Sequence, residues 1–322
     1  MPRTILVQLD GSTQSEMAIT HAASLARGLG ASLHLVRVHL PVIAYATAEA
    51  AIAIPDPDLD EQVRAAAEKW LIAKAAAVKA TVKLPVTFEL RTGAPTDEVV
   101  RAAAERDASF IVCTTHGHGG WAPQWVGSVT DAIIRHAPCP VIAMSEKAVA
   151  GPPRIENILV PLDGTDTAAA ILPYVRDLAR TLDARVDLFR VVAPPWVGDA
   201  LNALQSGDLD RFGIDAAADA AKVELDRAAQ DLVVAGVHAT SVVSVDTNPT
   251  RAILDRIAEV QPDLVAIATH GRGLSRLFMG SVADKVLRAG GKPVLSWRAP
   301  RHEQPEHQEA GMFATPFSSP AA

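Results

Sequence analysis

The sequence repeats itself, and this repetition constrains the fold more than any other feature. Ile5–Thr13 (ILVQLDGST) returns as Ile158–Asp166 (ILVPLDGTD), an offset of 153 residues from Ile5 to Ile158. Leu33–Val38 and Gly127–Val141 return at the same offset as VDLFRV and GSVADKVLRAGGKPV, and Thr114–Gly120 returns as ATHGRG 154 residues later. Four blocks that keep their order and spacing indicate an internal duplication. The chain is therefore predicted to fold as two copies of one unit.

Within each copy, short β-branched runs alternate with longer Ala-rich segments. The short runs are typical of buried parallel strands and the longer segments of helices. The predicted strands are Ile5–Leu9, Leu33–Val38, Val86–Leu90, Phe110–Cys113 and Val141–Ala143, followed by Ile158–Leu162, Val186–Val191, Thr240–Val245, Leu264–Ala268 and Val294–Trp297. The predicted helices of the first copy are Ser12–Leu29, Leu59–Val82 and Thr96–Arg106. This alternation predicts an α/β fold of two tandem doubly wound five-stranded parallel sheets, which is a Rossmann-like architecture.

The domain boundaries follow from the repeat and from local composition. A chain of 322 residues is long enough for two domains, each with its own core. We predict a first domain at residues 1–146, a linker at 147–154, a second domain at 155–298 and a disordered tail at 299–322. The linker region contains EKAVAGPPR, which is polar and carries Gly and Pro, and the tail lacks apolar periodicity.

Composition narrows the classes of function. A net charge of −7 without a basic run argues against a nucleic-acid binder, because a phosphate backbone requires clustered Lys and Arg. Two cysteines suit a reducing compartment, and the first apolar run is too short for a signal peptide. Leu40–Pro55 is apolar but interrupted by Glu49, so it is not expected to span a membrane. A cytoplasmic protein is predicted, in which this segment is either a lid or a docking surface.

A ligand site is predicted beyond the carboxyl ends of the strands, where ligands bind in open parallel sheets. The first strand of each copy ends in an acid and a glycine, Asp10-Gly11 and Asp163-Gly164. The fourth strand leads into a glycine-rich loop and then a helix, at Thr114–Gly127 and Ala268–Gly280. Glycine N–H groups and a helix N-terminus suit phosphate, and the carboxylate suits a ribose or base.

Structural alternatives exist for the same residues. Ser128 and Asp131 have the spacing of a capping box, as do Ser281 and Asp284, so we expect these serines mainly to begin a helix. Asp10 and Asp163 could also be N-caps of the helices that follow them. Cys113, at a strand end, is expected to be an inert core thiol.

The paired segments LVQLDGS…TTHGHGGWAPQWVGSVTDAIIRHAPCPV and LVPLDGT…ATHGRGLSRLFMGSVADKVLRAGGKPV resemble the universal stress protein family over nearly the whole chain. The resemblance implies binding of ATP, with Mg²⁺ accompanying the nucleotide. It assigns the nucleotide aspartate to Asp10 and Asp163 and the adenine-facing valine to Val38 and Val191. The loop positions are Thr114, Gly117, Gly127, Ser128 and Val129 in the first copy, and Ala268, Gly271, Gly280, Ser281 and Val282 in the second.

Both copies depart from the family's loop pattern of Gly, two residues, Gly, nine residues and Gly-Ser or Gly-Thr. Thr114 and Ala268 replace the leading glycine, and eight residues instead of nine separate Gly271 from Gly280. A side chain at Thr114 or Ala268 would strain the backbone by roughly 1 kcal/mol if that position required a positive φ. These departures concern nucleotide affinity more than the fold.

Three functions remain open from the sequence. The first is an ATP-binding module for stress response or signalling, with adenine nucleotide and unidentified proteins as partners. The second is a slow ATPase, which is disfavoured because no Walker lysine and no metal-ligand cluster accompany the glycines. The third is a nucleotide-free module that acts through protein contacts. No catalytic and no metal-binding residue is assigned, and membrane and nucleic-acid partners are not expected.

The fifth strand of each copy predicts how the two halves meet. As the last strand of a doubly wound sheet it lies at an edge, where unpaired backbone groups favour pairing. Members of the family commonly dimerise through this strand, and a duplicated chain can form the same contact internally. We therefore predict an intramolecular pseudo-dimer with the two fifth strands facing each other, while association of whole chains into a homodimer is left open.

Overall fold

The structure, a computed structural model, describes residues 3–41, 43–45, 53–115, 127–194, 214–269 and 281–298. The strands are β1 Thr4–Leu9, β2 Ser32–His39, β3 Ile43–Tyr45, β4 Ala53–Pro55, β5 Val86–Thr92, β6 Ala108–Thr114, β7 Val141–Met144, β8 Asn157–Pro161, β9 Arg185–Val192, β10 Ala239–Val245, β11 Leu264–Thr269 and β12 Val294–Arg298. The helices are α1 Thr13–Leu29, α2 Pro57–Val82, α3 Pro95–Glu105, α4 Ser128–His136, α5 Glu146–Val149, α6 Asp166–Ala169, α7 Leu172–Leu182, α8 Ile214–Val234, α9 Pro249–Val260 and α10 Ser281–Ala289.

Ten of these strands form one continuous sheet in the order β10-β9-β8-β11-β12-β7-β6-β1-β2-β5. All neighbouring strands within each half are parallel, which confirms the predicted α/β class. The halves are joined by the antiparallel pair β7 and β12, where Val141–Ala143 lies against Val294–Ser296. The predicted pairing of the fifth strands is thus present, and it merges the two sheets into one.

Helices cover both faces of the sheet, because alternate residues of the buried strands point to opposite sides. On one face α1, α2, α7 and α8 enclose a core that includes Leu33 and Leu35 of β2. On the other face α3, α4, α9 and α10 pack over residues such as Val36. The carboxyl ends of the parallel strands emerge between these layers.

The linker differs from the expected polar connection. Ser145 accepts a hydrogen bond from the Ala148 backbone N and begins α5, whose Ala148 and Val149 are buried. The Val149 carbonyl accepts a hydrogen bond from Nε2 of His21 on α1, at 3.0 Å. The first turn of this connection is therefore part of the core. The sequence did not predict this buried turn, because two small apolar residues are too few to give a periodic pattern.

The Leu40–Pro55 segment contains a short antiparallel pair, β3 with β4, in which Ala44 lies opposite Ile54. Residues 42 and 46–52 lie outside the described residues, as does the predicted tail at 299–322. No helix in the described ranges is both long and apolar enough to cross a bilayer.

Candidate functional site

The candidate site lies at the point in each half where the winding of the sheet changes direction. In the first half β1 is flanked by β2 on one side and β6 on the other, and in the second half β8 is flanked by β9 and β11. The loops after β1 and β6, and those after β8 and β11, leave the sheet at its carboxyl edge. This is the crevice in which open parallel sheets bind ligands.

Asp10 stabilises the loop that follows β1. Its Oδ1 accepts a hydrogen bond from the Ser12 backbone N at 2.8 Å, and Ser12 in turn caps α1 by accepting from the Ser15 N at 3.1 Å. The alternative that Asp10 is itself the N-cap is wrong, because the carboxylate lies two residues before the cap. One carboxylate oxygen is thereby used within the loop.

Asp163 has the same position in the second half. Its Oδ1 accepts from the Thr165 backbone N at 2.9 Å and from the Thr165 hydroxyl at 2.6 Å. Thr165 caps α6 by accepting from the Ala168 N. Asp163 is therefore not an N-cap either. The two halves thus carry a carboxylate in the same local geometry at the carboxyl edge of the sheet.

Gly11 and Gly164 follow these aspartates with φ values of +88° and +83°. L-residues other than Gly rarely adopt this conformation. A Cβ on Gly11 would lie 3.0 Å from Nη2 of Arg37, and a Cβ on Gly164 would lie 2.6 Å from Cζ of Arg190. Both glycines are thus favoured by their backbone conformation, and an added Cβ would also displace the guanidinium of an arginine.

Arg37 and Arg190 are functional candidates that the sequence reasoning did not identify. They occupy one position in the two copies, Arg37 in LHLVRV and Arg190 in VDLFRV. A charged residue repeated inside a buried strand was the available signal, since a buried charge is costly unless it is compensated. The structure places each guanidinium beside the glycine of the candidate site.

The surroundings of the two arginines differ. The guanidinium carbon of Arg37 lies 4.6 Å from the centre of the Trp70 ring on α2. Burial lowers the pKa of Arg37, and the negative charge of Asp10 acts in the opposite direction. Arg190 instead forms an ion pair with Glu224 on α8. Since Arg37 forms no ion pair within the described ranges, the positive charge beside Gly11 is less neutralised there than the one beside Gly164.

Gly127 brings the second loop back to the end of β6. Its backbone N donates to the Thr115 carbonyl at 2.7 Å, and a Cβ at Gly127 would lie only 2.7 Å from that same oxygen. Gly127 is the N-cap of α4 and Ser128 is its first residue, so Ser128 begins the helix as expected but is not the cap itself. The bond to the Thr115 carbonyl holds this cap against the end of β6.

Thr114 and Ala268 are strand residues and do not lie in the loops. Both are buried, and neither has a positive φ, so the strain considered for a side chain at these positions does not arise. The carbonyl of Thr114 accepts a hydrogen bond from the Thr130 hydroxyl on α4 at 2.7 Å. This bond holds the start of α4 against the end of β6.

The four predicted valines share one face of the sheet. Val38 and Val129 in the first half, and Val191 and Val282 in the second, are partly buried against the core that contains α3, α4, α9 and α10. The structure therefore brings the end of the second strand and the start of the helix after the glycine loop to one side of the crevice. α10 begins at Ser281. Gly117, Gly271 and Gly280 lie outside the described residues.

A reactive thiol and a metal site each place requirements on the side chains around them. Burial raises the pKa of the Cys113 thiol to about 12, which suits the inert role expected for it. No group of three His, Cys, Asp or Glu side chains with metal-binding geometry occurs among the described residues.

The family model of the universal stress proteins matches the chain twice, at residues 1–144 and 154–298. The chain belongs to the universal stress protein family. Universal stress protein Rv2005c of Mycobacterium tuberculosis is 29% identical over 301 residues, which cover 90% of this chain and 95% of that protein. Universal stress protein Rv2623 of the same organism is 30% identical over 233 residues, covering 66% of this chain and 72% of that protein.

Solved structures of the family share the tandem architecture. A universal stress protein from Archaeoglobus fulgidus superposes with a TM-score of 0.65 at 16% identity, covering 92% of this chain and 98% of that chain. A second, from Pseudomonas aeruginosa, superposes with a TM-score of 0.56 at 17% identity, covering 92% and 93%. At these identities the likeness supports the fold alone.

Proposed function

We propose that this universal stress protein binds ATP or a related adenine nucleotide in each half and acts as a stress-response or signalling module. The observation that carries the proposal is the repeated arrangement of a carboxylate, a left-handed glycine and an arginine at the carboxyl edge of the first strand. The same arrangement occurs at Asp10, Gly11 and Arg37 and at Asp163, Gly164 and Arg190. Each set lies at a change of winding, where such sheets bind nucleotides.

The residues of each half divide among the parts of a nucleotide. Asp10 and Asp163 would accept hydrogen bonds from ribose hydroxyls, and Val38 and Val191 would pack against the base. The phosphates would lie on the glycine loop and the N-terminus of the following helix, at Gly117, Gly127 and Ser128 in the first half. Gly271, Gly280 and Ser281 correspond in the second half, with Val129 and Val282 beside the phosphate loop. A Mg²⁺ ion would arrive with the phosphates.

The proposed role is binding, and the nucleotide state would alter the conformation or the partners of the chain. A cytoplasmic location is part of the proposal, and the free, buried thiols of Cys113 and Cys139 are compatible with a reducing compartment.

Calorimetric titration of the purified chain with ATP, ADP and AMP tests the proposal, together with mass spectrometry of co-purifying small molecules. We expect ATP to bind and the double variant Asp10→Asn/Asp163→Asn to bind more weakly by about 1–3 kcal/mol, because each substitution removes a charged acceptor. Asp183→Asn is the matched control, because Asp183 ends α7 in a left-handed conformation that Asn also tolerates.

Two outcomes separate the parts of the proposal. A double variant that binds ATP as tightly as the unaltered chain would overturn the assignment of the aspartates. A chain that binds none of the three nucleotides would overturn nucleotide binding itself.

A further inference from the structure

A cavity of about 200 Å³ lies where the two halves meet. Its wall combines α1 of the first half with the linker, with Leu182 at the end of α7, with Leu264 at the start of β11 and with Pro293 just before β12. The floor is apolar and includes Val112, Ile142, Met144 and Leu264. Apolar cavities of about this size bind small hydrophobic molecules in proteins.

The cavity lies at a place where the two copies of the repeat carry different side chains. His21 and Met144 line it, and the residues at their positions in the second copy are Tyr174 and Trp297. Tyr174 and Trp297 pack against each other, with their ring centres 4.9 Å apart and their planes tilted by 54°. The second half therefore has two large aromatic side chains where the first half has smaller ones beside the cavity.

His21 is one of the polar residues that line the cavity. Its Nε2 contacts the Val149 carbonyl, and because a carbonyl only accepts, Nε2 must carry the hydrogen. Burial lowers the pKa of His21, which favours the neutral ring, so Nδ1 carries a lone pair. Among the described residues Nδ1 forms no hydrogen bond, and it can accept one from an occupant.

The charged groups of the wall compensate each other. Arg154 and Glu156 form a salt bridge at 3.1 Å, and Arg154 also lies 3.9 Å from Asp263. Asp263 accepts hydrogen bonds from the backbone N atoms of Glu156 and Asn157 as well. An ionic ligand would have to compete with these pairs, so the wall favours a neutral occupant.

We propose that this cavity binds a small neutral molecule with an apolar ring or short chain and one hydroxyl group, which donates a hydrogen bond to Nδ1 of His21. The occupant contacts α1 of the first half and the start of β11 and β12 of the second half. Its binding is therefore coupled to the contact between the halves.

Cyclohexanol and cyclohexanone are the probes, because they share a ring and only the alcohol can donate a hydrogen bond. The full chain, labelled with ¹³C at its methionine methyl groups, would be titrated with each and followed by NMR. The Met144 methyl reports on the cavity, and Met17, which is 40% exposed on α1, is the internal control. We expect cyclohexanol to shift the Met144 signal with a Kd on the order of 1 mM, and cyclohexanone to bind several-fold more weakly.

Two substitutions fill the cavity from different sides. Ser24→Leu adds volume from α1 and keeps the Met144 reporter, and Met144→Trp introduces the residue found in the second half. Both are expected to weaken cyclohexanol binding at least about tenfold, measured for Met144→Trp by calorimetry with Met17→Trp as its control. If cyclohexanol leaves the Met144 signal unmoved, or if both filled variants bind it like the unaltered chain, the site is overturned. Equal binding of alcohol and ketone would overturn the role of His21.

Discussion

Ile142 of β7 lies directly opposite Leu295 of β12, the residue that occupies its own position in the second copy. On either side of this pair, Val141 faces Ser296 and Ala143 faces Val294, so the pairing is symmetric about Ile142 and Leu295. A local two-fold axis therefore passes between the two side chains. The junction is an isologous interface, of the kind found in symmetric dimers, contained within one chain.

The first prediction concerns this pair. Ile142 and Leu295 are 4% and 0% exposed, so we expect Ile142→Ala and Leu295→Ala each to lower the free energy of unfolding by about 2–5 kcal/mol. Because directly opposed side chains interact, the double variant should differ from the sum by roughly 0.5–1 kcal/mol. Urea unfolding measures both. Leu71 on α2, at the far side of the first half, is the control partner for Leu295, and a coupling as large for that pair would contradict the prediction.

The second prediction separates backbone conformation from steric contact at the glycines. Gly30 ends α1 with φ +61° and would have no neighbour within 4 Å of an added Cβ, so Gly30→Ala measures the conformational cost alone, about 1 kcal/mol. We expect Gly11→Ala to cost more and Gly164→Ala the most, because the added methyl meets Arg37 or Arg190. Denaturant unfolding gives the order. In an Arg190→Ala background the excess cost at Gly164 should vanish, and its persistence would show that the arginine is not the cause.

The third prediction uses the different surroundings of Arg37 and Arg190 and rests on the proposed function. Arg37 stacks on Trp70, whereas Glu224 neutralises Arg190, so the first site should depend more on its arginine. With the second site disabled by Asp163→Asn, Arg37→Gln is expected to weaken ATP binding about tenfold, as for loss of a charged partner. With the first site disabled by Asp10→Asn, Arg190→Gln should have a smaller effect, and Glu224→Gln should strengthen binding.

Calorimetry at two salt concentrations measures these affinities, since a charge effect decreases as salt screens it. The exposed Arg176 on α7 provides the control variant Arg176→Gln. Equal losses for Arg37→Gln and Arg190→Gln would contradict the proposed difference between the halves.

The fourth prediction is a loss of stability in acid caused by His34. His34 is fully buried on β2, with Nδ1 2.8 Å from the Thr87 hydroxyl and Nε2 3.5 Å from Oε2 of Glu89. Burial lowers its pKa from 6.5 to about 4, with Arg106 and Arg91 acting in the same direction and Glu89 opposing them. Between these values the unfolded chain binds a proton that the folded chain does not, so stability falls as the pH falls from 6.5 to 4.

The slope from this one residue approaches about 1.4 kcal/mol per pH unit. Urea unfolding between pH 8 and pH 4.5 should show it, and His34→Leu should reduce it. Burial also lowers the pKa of His21, and this contribution remains in both proteins, so the difference between the two slopes isolates His34. An unchanged slope in His34→Leu would contradict the prediction.

The strands were predictable from sequence because buried parallel strands consist of short β-branched runs, and the repeat supplied each run twice. The surroundings of Arg37 and Arg190 were not predictable. A strand pattern assigns a residue to one face of the sheet. It does not show that the Arg37 guanidinium lies beside Gly11, or that Trp70 of α2 packs on that guanidinium. The spacing of residues in the sequence also could not place the N-cap of α4 at Gly127. Gly127 is held by the Thr115 carbonyl, which lies on the other side of a loop.

The antiparallel junction of β7 and β12 also determines on which sides of the sheet the two candidate sites lie. Since the strands within each half are parallel, reversing direction at the junction makes the strand ends that carry Asp10 and Asp163 leave opposite edges of the sheet. One nucleotide therefore cannot bridge both carboxylates, and one flat partner surface cannot contact both at once. A protein that recognises the carboxyl edge of one half could therefore bind the chain at two opposite sides. A partner with two such binding sites would link several copies of the chain in a row and would not bind both sides of one copy.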